Sequence, residues 1–286
     1  MSDSTPVLRI EAQPGSVNVF RAGTADPILV QNAEPDKRPY IHPIISPGGS
    51  GAVTENAPSH HLWQHGLYIG LNDVNGVGFW MEGLRESAAA SDGTFHPRIL
   101  GTPTAEGNRA NWAIGTEYRD PQGEPMLEET QDWTLTDLGE SYELDLVWTL
   151  RAITPLTFGQ YEYGGLFLRM PFRKESGGIA INSEGQKGDD TEGQRARWVA
   201  SQMPIADSPT DVLVAVMDHP ANLEHPVPWR VDHELGIGPS ACIAGPWQLD
   251  TGEERQFRHR VAVFAAPVES SAIEQAWISF SKEETV

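Results

Sequence analysis

The chain has 286 residues, 40 acidic against 20 basic, for a formal charge of −20, with nine tryptophans and one cysteine. That much negative charge repels nucleic-acid backbones and anionic lipid surfaces. The lone Cys242 excludes an internal disulfide framework or a CxxC site, and no stretch approaches the roughly 18 apolar residues of a membrane helix. The opening MSDSTPVLRIEAQPG has neither the basic start nor the apolar run of a signal peptide, so the expectation is a cytoplasmic protein with no membrane or nucleic-acid partner.

In chain order, short strands are predicted at 7–11, 16–20 and 27–31, followed by RPYIHPIISPGG (38–49), which contributes His42 and a tight turn. PSHHLWQHGLYIGLNDVNGVGFW (58–80) then gathers His60, His61 and His65 beside Trp63, Asn72, Asp73 and Asn75. His61 and His65 have HxxxH spacing, but Pro58, Gly66 and the extended LYIGL argue against a helix. The stretch reads as a loop entering a strand at 67–71, with its histidines turned toward a cleft. NWAIGTEY (111–118), LEETQDWTLTDL (127–138) and YELDLVWTLRAI (142–153) alternate apolar and polar residues, as a meander of half-buried antiparallel strands should.

A further strand is predicted at 165–170, and GGIAINSEGQKGDDTEGQRARW (177–198) reads as a long polar loop over one sheet. Within it Glu184 is the candidate acid or base and Arg195 and Arg197 the candidate substrate binders, whereas Asp189, Asp190 and Glu192 read as solvent-facing. DVLVAVMD (211–218) is apolar on both faces, so it belongs centrally in a covered sheet. DHPANLEHPVPW (218–229) then places Asp218, His219, Asn222, His225 and Trp229 at a strand end stiffened by three prolines, where a histidine beside a carboxylate suits general acid/base work near neutral pH. His96, His233 and His259 stand alone. After a strand at 256–265, a helix over about 268–282 turns Ile273, Ala276, Trp277 and Phe280 to one side, with Ser270 or Ser271 as the cap. The expected fold is all-β: one domain over 1–286, a large antiparallel two-sheet β-sandwich with a short C-terminal helix.

GxGxxG after a strand, GxxxxGK[ST] and GxSxG are all absent, which argues against dinucleotide redox chemistry, phosphoryl transfer and the ordinary serine hydrolase. Proton transfer remains, in a cleft of tryptophan, histidine, amide and carboxylate groups. Such groups hold sugars, because aromatic faces stack on C–H surfaces and polar side chains bond hydroxyls.

Taken in order, RPYIHPIISPGG, PSHHLWQHGLYIGLNDVNGVGFW, YGGLFLRMP, INSEG with GQRARWV, and DHPANLEHPVPW resemble the PmoA-like domain of unknown function, often named "methane oxygenase PmoA". That family is similar to the galactose-mutarotase-like supersandwich proteins. The resemblance implies an open carbohydrate cleft on one sheet, served by a histidine acid and a glutamate base. The positions that match are His65 or His219, and Glu184. The family's histidine pair followed by arginine is broken here by Gly66, which passes an anion-binding role to Arg195 or Arg197.

The function expected is a carbohydrate-active enzyme using general acid/base chemistry, by epimerisation, elimination or hydrolysis, on a sugar or keto-glycoside. Its catalytic set would be His61, His65, His219 and Glu184. Its binding set would be Trp63, Asn72, Asn75, Arg195, Arg197, Asn222, His225 and Trp229, with the 218–229 turn facing the histidine stretch. One alternative is a divalent-metal enzyme with His61, His65 and His219 as ligands. Another is a non-catalytic carbohydrate-binding or subunit protein, and exposed strand edges are compatible with a homodimer.

Overall fold

A computed structural model describes residues 7–84 and 92–283. Two eight-stranded antiparallel sheets enclose one large apolar core drawn from both. The first sheet runs, in spatial order, Leu8–Gln13, Ser16–Arg21, Leu29–Asn32, Tyr40–Ile44, Leu67–Gly70, Gly165–Leu168, Ile237–Pro239, Trp229–Val231. The second runs Ile179–Asn182, Trp198–Met203, Val212–Asp218, Glu254–Phe264, Ser141–Ala152, Pro125–Asp137, Arg109–Arg119, Thr94–Glu106. Leu156–Phe158 and Trp247–Leu249 form a small separate ribbon. This is the expected two-sheet sandwich, and no helix among the described residues is long and apolar enough to cross a membrane.

The period-two pattern explains the meander. Along Ser141–Ala152 the inward set Tyr142, Leu144, Leu146, Trp148 and Leu150 is buried, while the residues between them are half-buried or exposed. Glu129 and Gln131 also point inward, and both are buried. Gln131 Nε2 and Trp148 Nε1 donate to Glu129 at 3.1 and 2.8 Å, and Trp133 Nε1 donates to Gln131 at 3.1 Å. These donors are neutral, so burial wins and pushes the Glu129 carboxyl up to about 7.

Val212–Asp218 is buried on both faces. Val212, Val214 and Val216 enter the inter-sheet core, while Leu213, Ala215 and Met217 pack under Ile273 and Phe280 of the C-terminal helix Ser270–Phe280. Glu269 precedes that helix without a side-chain cap, so Ser270 opens the first turn rather than capping it.

Two regions differ from the sequence reading. The 177–198 stretch is not all loop: Ile179–Asn182 pairs with Trp198–Met203 as an outer strand, because Ala180 and Asn182 alternate inward, and a short 3-10 turn follows at Gly188–Thr191. Thr94–Glu106 is a 13-residue edge strand, unpredicted because TFHPRILGTPTAE carries two prolines and a glycine; its register shifts between Leu100 and Thr104.

Candidate functional site

A cleft of about 150 Å³ opens over the first sheet where Leu67–Gly70 and Gly165–Leu168 pair, between the 53–66 loop and the turn after Trp229–Val231. The loop is laced to the sheet by Glu55 N–H to Arg169 O, Gly66 N–H to Glu55 O and Arg169 N–H to Gly66 O. Its tip makes two successive turns, His61 N–H to Pro58 O and Gln64 N–H to His61 O, so His61 and His65 do not share a helical face. Gly66 enters the strand at φ +70°, where an added Cβ would lie 2.5 Å from Ile41 O; the break in the histidine–arginine pattern is a backbone requirement.

The opposite wall is the turn Asp232–Gly236. Asp232 Oδ1 accepts both Glu234 N–H and Gly236 N–H at 2.9 Å, and this holds Glu234 over the cleft. Arg169 is wholly buried beneath it. Its guanidinium donates to Glu234 and to Gln64 Oε1 at 3.1 Å, with Glu55 at 3.4 Å and His60 Nε2 at 3.3 Å. His60 Nε2 lies 3.0 Å and His61 Nδ1 3.7 Å from Glu234 oxygens. Partial burial opposes ionisation of Glu234, but the bonds from Arg169 and then His60 outweigh it and hold the carboxyl below its ordinary range. Burial lowers His61, with partial compensation from Glu234, so its imidazole is neutral near pH 7. His61 Nδ1 is buried without a hydrogen-bond partner, while about a third of the side chain is exposed.

The remaining wall is aromatic: Trp63, Trp80, Tyr163 and Phe167, with Trp80 and Tyr163 centroids 4.2 Å apart. Buried Arg38 fixes it from behind. The guanidinium stacks 4.2 Å over Tyr68, donates to Trp80 O at 2.7 Å and to Trp63 O, and pairs with Glu82 at 3.1 Å. Burial opposes the charge on Glu82, yet Arg38 and then His65 keep its carboxyl low.

Of the residues expected from sequence, the cleft brings together His61 and Trp63. His65 lies underneath, stacked on Tyr40, with Nδ1 at 2.7 Å from Asn56 Oδ1 and Nε2 at 2.8 Å from Glu82. Asn75 pins its own turn, donating to Pro155 O and accepting from Thr157 N–H; Asn72 is half-buried just before it, after the strand. Neither amide lines the cleft. Glu184 is exposed on the second sheet's outer hairpin beside Ser183 and 3.8 Å from Arg197, which pairs with Glu274 of the C-terminal helix and stacks on Trp277. Arg195 holds Glu224 and the 224–226 carbonyls. His219, Asn222 and His225 gather around buried Asp218 under that same helix, and Trp229 is fully buried with Nε1 donating to Ala196 O. The expected apposition of the 218–229 turn and the histidine stretch does not form, because the turn packs against the second sheet while the histidines ride on the first. His61, His65 and His219 are likewise not one metal cluster. Among the described residues, the histidine–carboxylate group compact enough for an ion is His60, His61 and Glu234, whose ligand atoms lie within 4.8 Å of one another.

Sequence reasoning missed Arg169, Glu234, Arg230 and Arg38. One signal was present: an arginine embedded in the apolar run GLFLRMP is a charge that must be paired when buried. Glu192 is also not merely solvent-facing, since it accepts from Arg230 at 2.6 Å and from Val231 N–H, tying the 177–198 stretch to the cleft edge.

A model of a family of unknown function, DUF6807, matches residues 26–278. The chain belongs to that family. The PmoA-like label is not part of this match, and no curated protein matches the sequence. Among solved structures, a putative aldose 1-epimerase from Klebsiella pneumoniae aligns over 98% of this chain and 88% of its own, at 10% identity and TM-score 0.43. A galactose mutarotase-like protein from Lactobacillus casei aligns over 90% and 99%, at 8% identity and TM-score 0.40. A GH36 α-galactosidase from Geobacillus stearothermophilus, in complex with stachyose, aligns over 90% of this chain at 12% identity and TM-score 0.40, and the match spans 40% of that enzyme.

Proposed function

We propose that this member of the DUF6807 family is a carbohydrate-active enzyme that moves a proton on a sugar or keto-glycoside in the cleft over the first sheet. The carrying observation is His61 Nδ1 3.7 Å from Glu234, itself held by buried Arg169, in front of an aromatic wall. In that arrangement His61 is the base. It takes a proton from a carbon next to a carbonyl, the C–H electron pair passes into the carbonyl to form an enolate, and Glu234 across from Nδ1 stabilises the imidazolium. Arg230, which lines the cleft, would stabilise the enolate oxygen. Protonation of the enolate carbon on its other face by solvent gives epimerisation, the imidazolium returning its proton to solvent, whereas departure of a β-alkoxy group that takes the imidazolium proton as it leaves gives elimination. The face of half-buried Trp63 would hold the ring, backed by buried Trp80.

NMR-monitored turnover on aldoses, glycosides and 3-keto-glycosides tests this reading. Conversion lost in both His61→Ala and Glu234→Gln is expected, and conversion unaffected by either variant would sink it. Binding without conversion would favour a carbohydrate-binding protein.

A metal reading has one observation of its own, the closeness of His60, His61 and Glu234. Arg169 argues against it, because its guanidinium already engages the Glu234 carboxylate, whose lone pairs a divalent cation would need. Stoichiometric metal in purified protein, lost with activity on chelation, would reverse that preference.

A further inference from the structure

The aromatic wall does not stop at the cleft. Phe167 meets Trp80 edge-on at 5.5 Å, Trp80 meets Tyr163 at 4.2 Å, and Tyr163 meets Tyr161 at 4.7 Å with the rings at 75°. Burial falls along this file: Trp80 is buried, Tyr163 half-buried and Tyr161 41% exposed. Tyr161 lines a second, open hollow of about 450 Å³ together with Gln160, Glu162 and Ile243. The segment carrying Tyr161 is fixed rather than loose, because Tyr161 N–H donates to Cys242 O at 3.1 Å and Gln160 Nε2 to Ile243 O at 3.3 Å. Held by its backbone and against the Tyr163 ring, Tyr161 keeps much of its own ring open to solvent.

Resting on the reading of the cleft as a sugar site, we infer that this hollow is a second sugar subsite and that the substrate class is a neutral glycoside of at least two rings. One ring would lie at His61 and Glu234, and the second would stack on Tyr161 across the thickness of Tyr163. The cleft alone, about 150 Å³, falls below the roughly 300–1,000 Å³ of small-molecule sites, and the hollow lies next to it across the Tyr163–Tyr161 ring contact. The Glu162 carboxylate and Gln160 amide flank the outer ring as hydroxyl partners, and Glu162, in a chain of charge −20, disfavours an anionic unit there.

Titration calorimetry on the full chain decides the matter, with glucose against cellobiose and maltose, galactose against lactose, and p-nitrophenyl glucoside as a non-sugar second ring. At least one disaccharide should bind roughly five- to tenfold tighter than its monosaccharide. That ratio should collapse toward one in Tyr161→Ala and persist in Tyr161→Trp. Monosaccharide binding with no gain from a second sugar ring, a gain seen only with the nitrophenyl ring, or a gain untouched by Tyr161→Ala would each overturn the subsite while leaving the cleft reading intact. Absence of binding by every sugar would overturn both.

Discussion

At the cleft mouth His60 and His61 lie 3.0 and 3.7 Å from Glu234; at the end of Val212–Asp218, His225 and His259 lie 2.7 and 3.8 Å from Asp218. The residue types match and the surroundings do not. Asp218 is 1% exposed and saturated, accepting from Asn222 Nδ2, His225 and Val227 N–H, and Trp277 of the C-terminal helix stacks over His225 while donating to the Asp218 carbonyl. Glu234 is 22% exposed and the His61 side chain 34% exposed, and both line the cleft. A histidine–carboxylate pair roofed by a helix is mortar, whereas one that lines a cleft can be reached by a substrate proton.

The largest expected contrast is in turnover. His61→Ala or Glu234→Gln should cut it by about 10²–10⁴ with circular dichroism unchanged. An equal loss in His225→Ala, under conditions where that variant is folded, would erase the distinction between the two pairs. Stability should show the reverse order. Asp218→Ala takes the buried acceptor from His225 and Asn222 and should cost about 3–5 kcal/mol in urea unfolding; Glu234→Gln keeps an amide oxygen on buried Arg169, which also retains Glu55, and should cost less. An Asp218→Ala protein as stable as its parent would contradict the structural assignment of that cluster.

The pH responses sharpen the contrast further. Burial lowers His259 and His219 from 6.5, so the unfolded chain takes up their protons first; the stability they contribute is present above about pH 6.5 and is lost as pH falls below it. His61 is lowered too, but exposed enough that its protonation should show mainly as a loss of rate on the acid side of neutrality. Glu129 acts with opposite sign: raised to about 7, it binds a proton in the folded state that the unfolded chain releases near 4.5, so stability declines as pH rises between those values, by an amount on the order of a few kcal/mol. Thermal melts across pH 4–9 should therefore show both limbs, and Glu129→Gln should flatten the rising-pH one; an unchanged profile would refute the assignment. The smallest effect belongs to Arg195→Ala. That residue's ion pair with Glu224 is nearly half exposed on both sides, so the loss should be under about 0.5 kcal/mol and fade in high salt.

Most strands were legible because a half-buried strand must alternate and a doubly covered one must not; Ser141–Ala152 and Val212–Asp218 are those two cases. Thr94–Glu106 was not, since an edge strand's exposed face tolerates proline and glycine that erase the pattern. The site was half legible. His61 and Trp63 stood out as a local cluster, but Glu234 and Arg169 lie 173 and 108 residues from His61 in sequence and meet it through antiparallel pairing of Leu67–Gly70 with Gly165–Leu168 and the turn after Trp229–Val231.

What the sequence determined by itself was the two-sheet β class, the C-terminal helix and the presence of histidine-rich segments, because periodicity and composition are local properties. Which histidine pair opens to a cleft and which is sealed was decided only in three dimensions. The 58–66 and 218–229 stretches carry much the same chemistry, and their difference lies in what packs on them: a helix with Trp277 and Phe280 over one, and over the other a turn bearing Glu234 above buried Arg169.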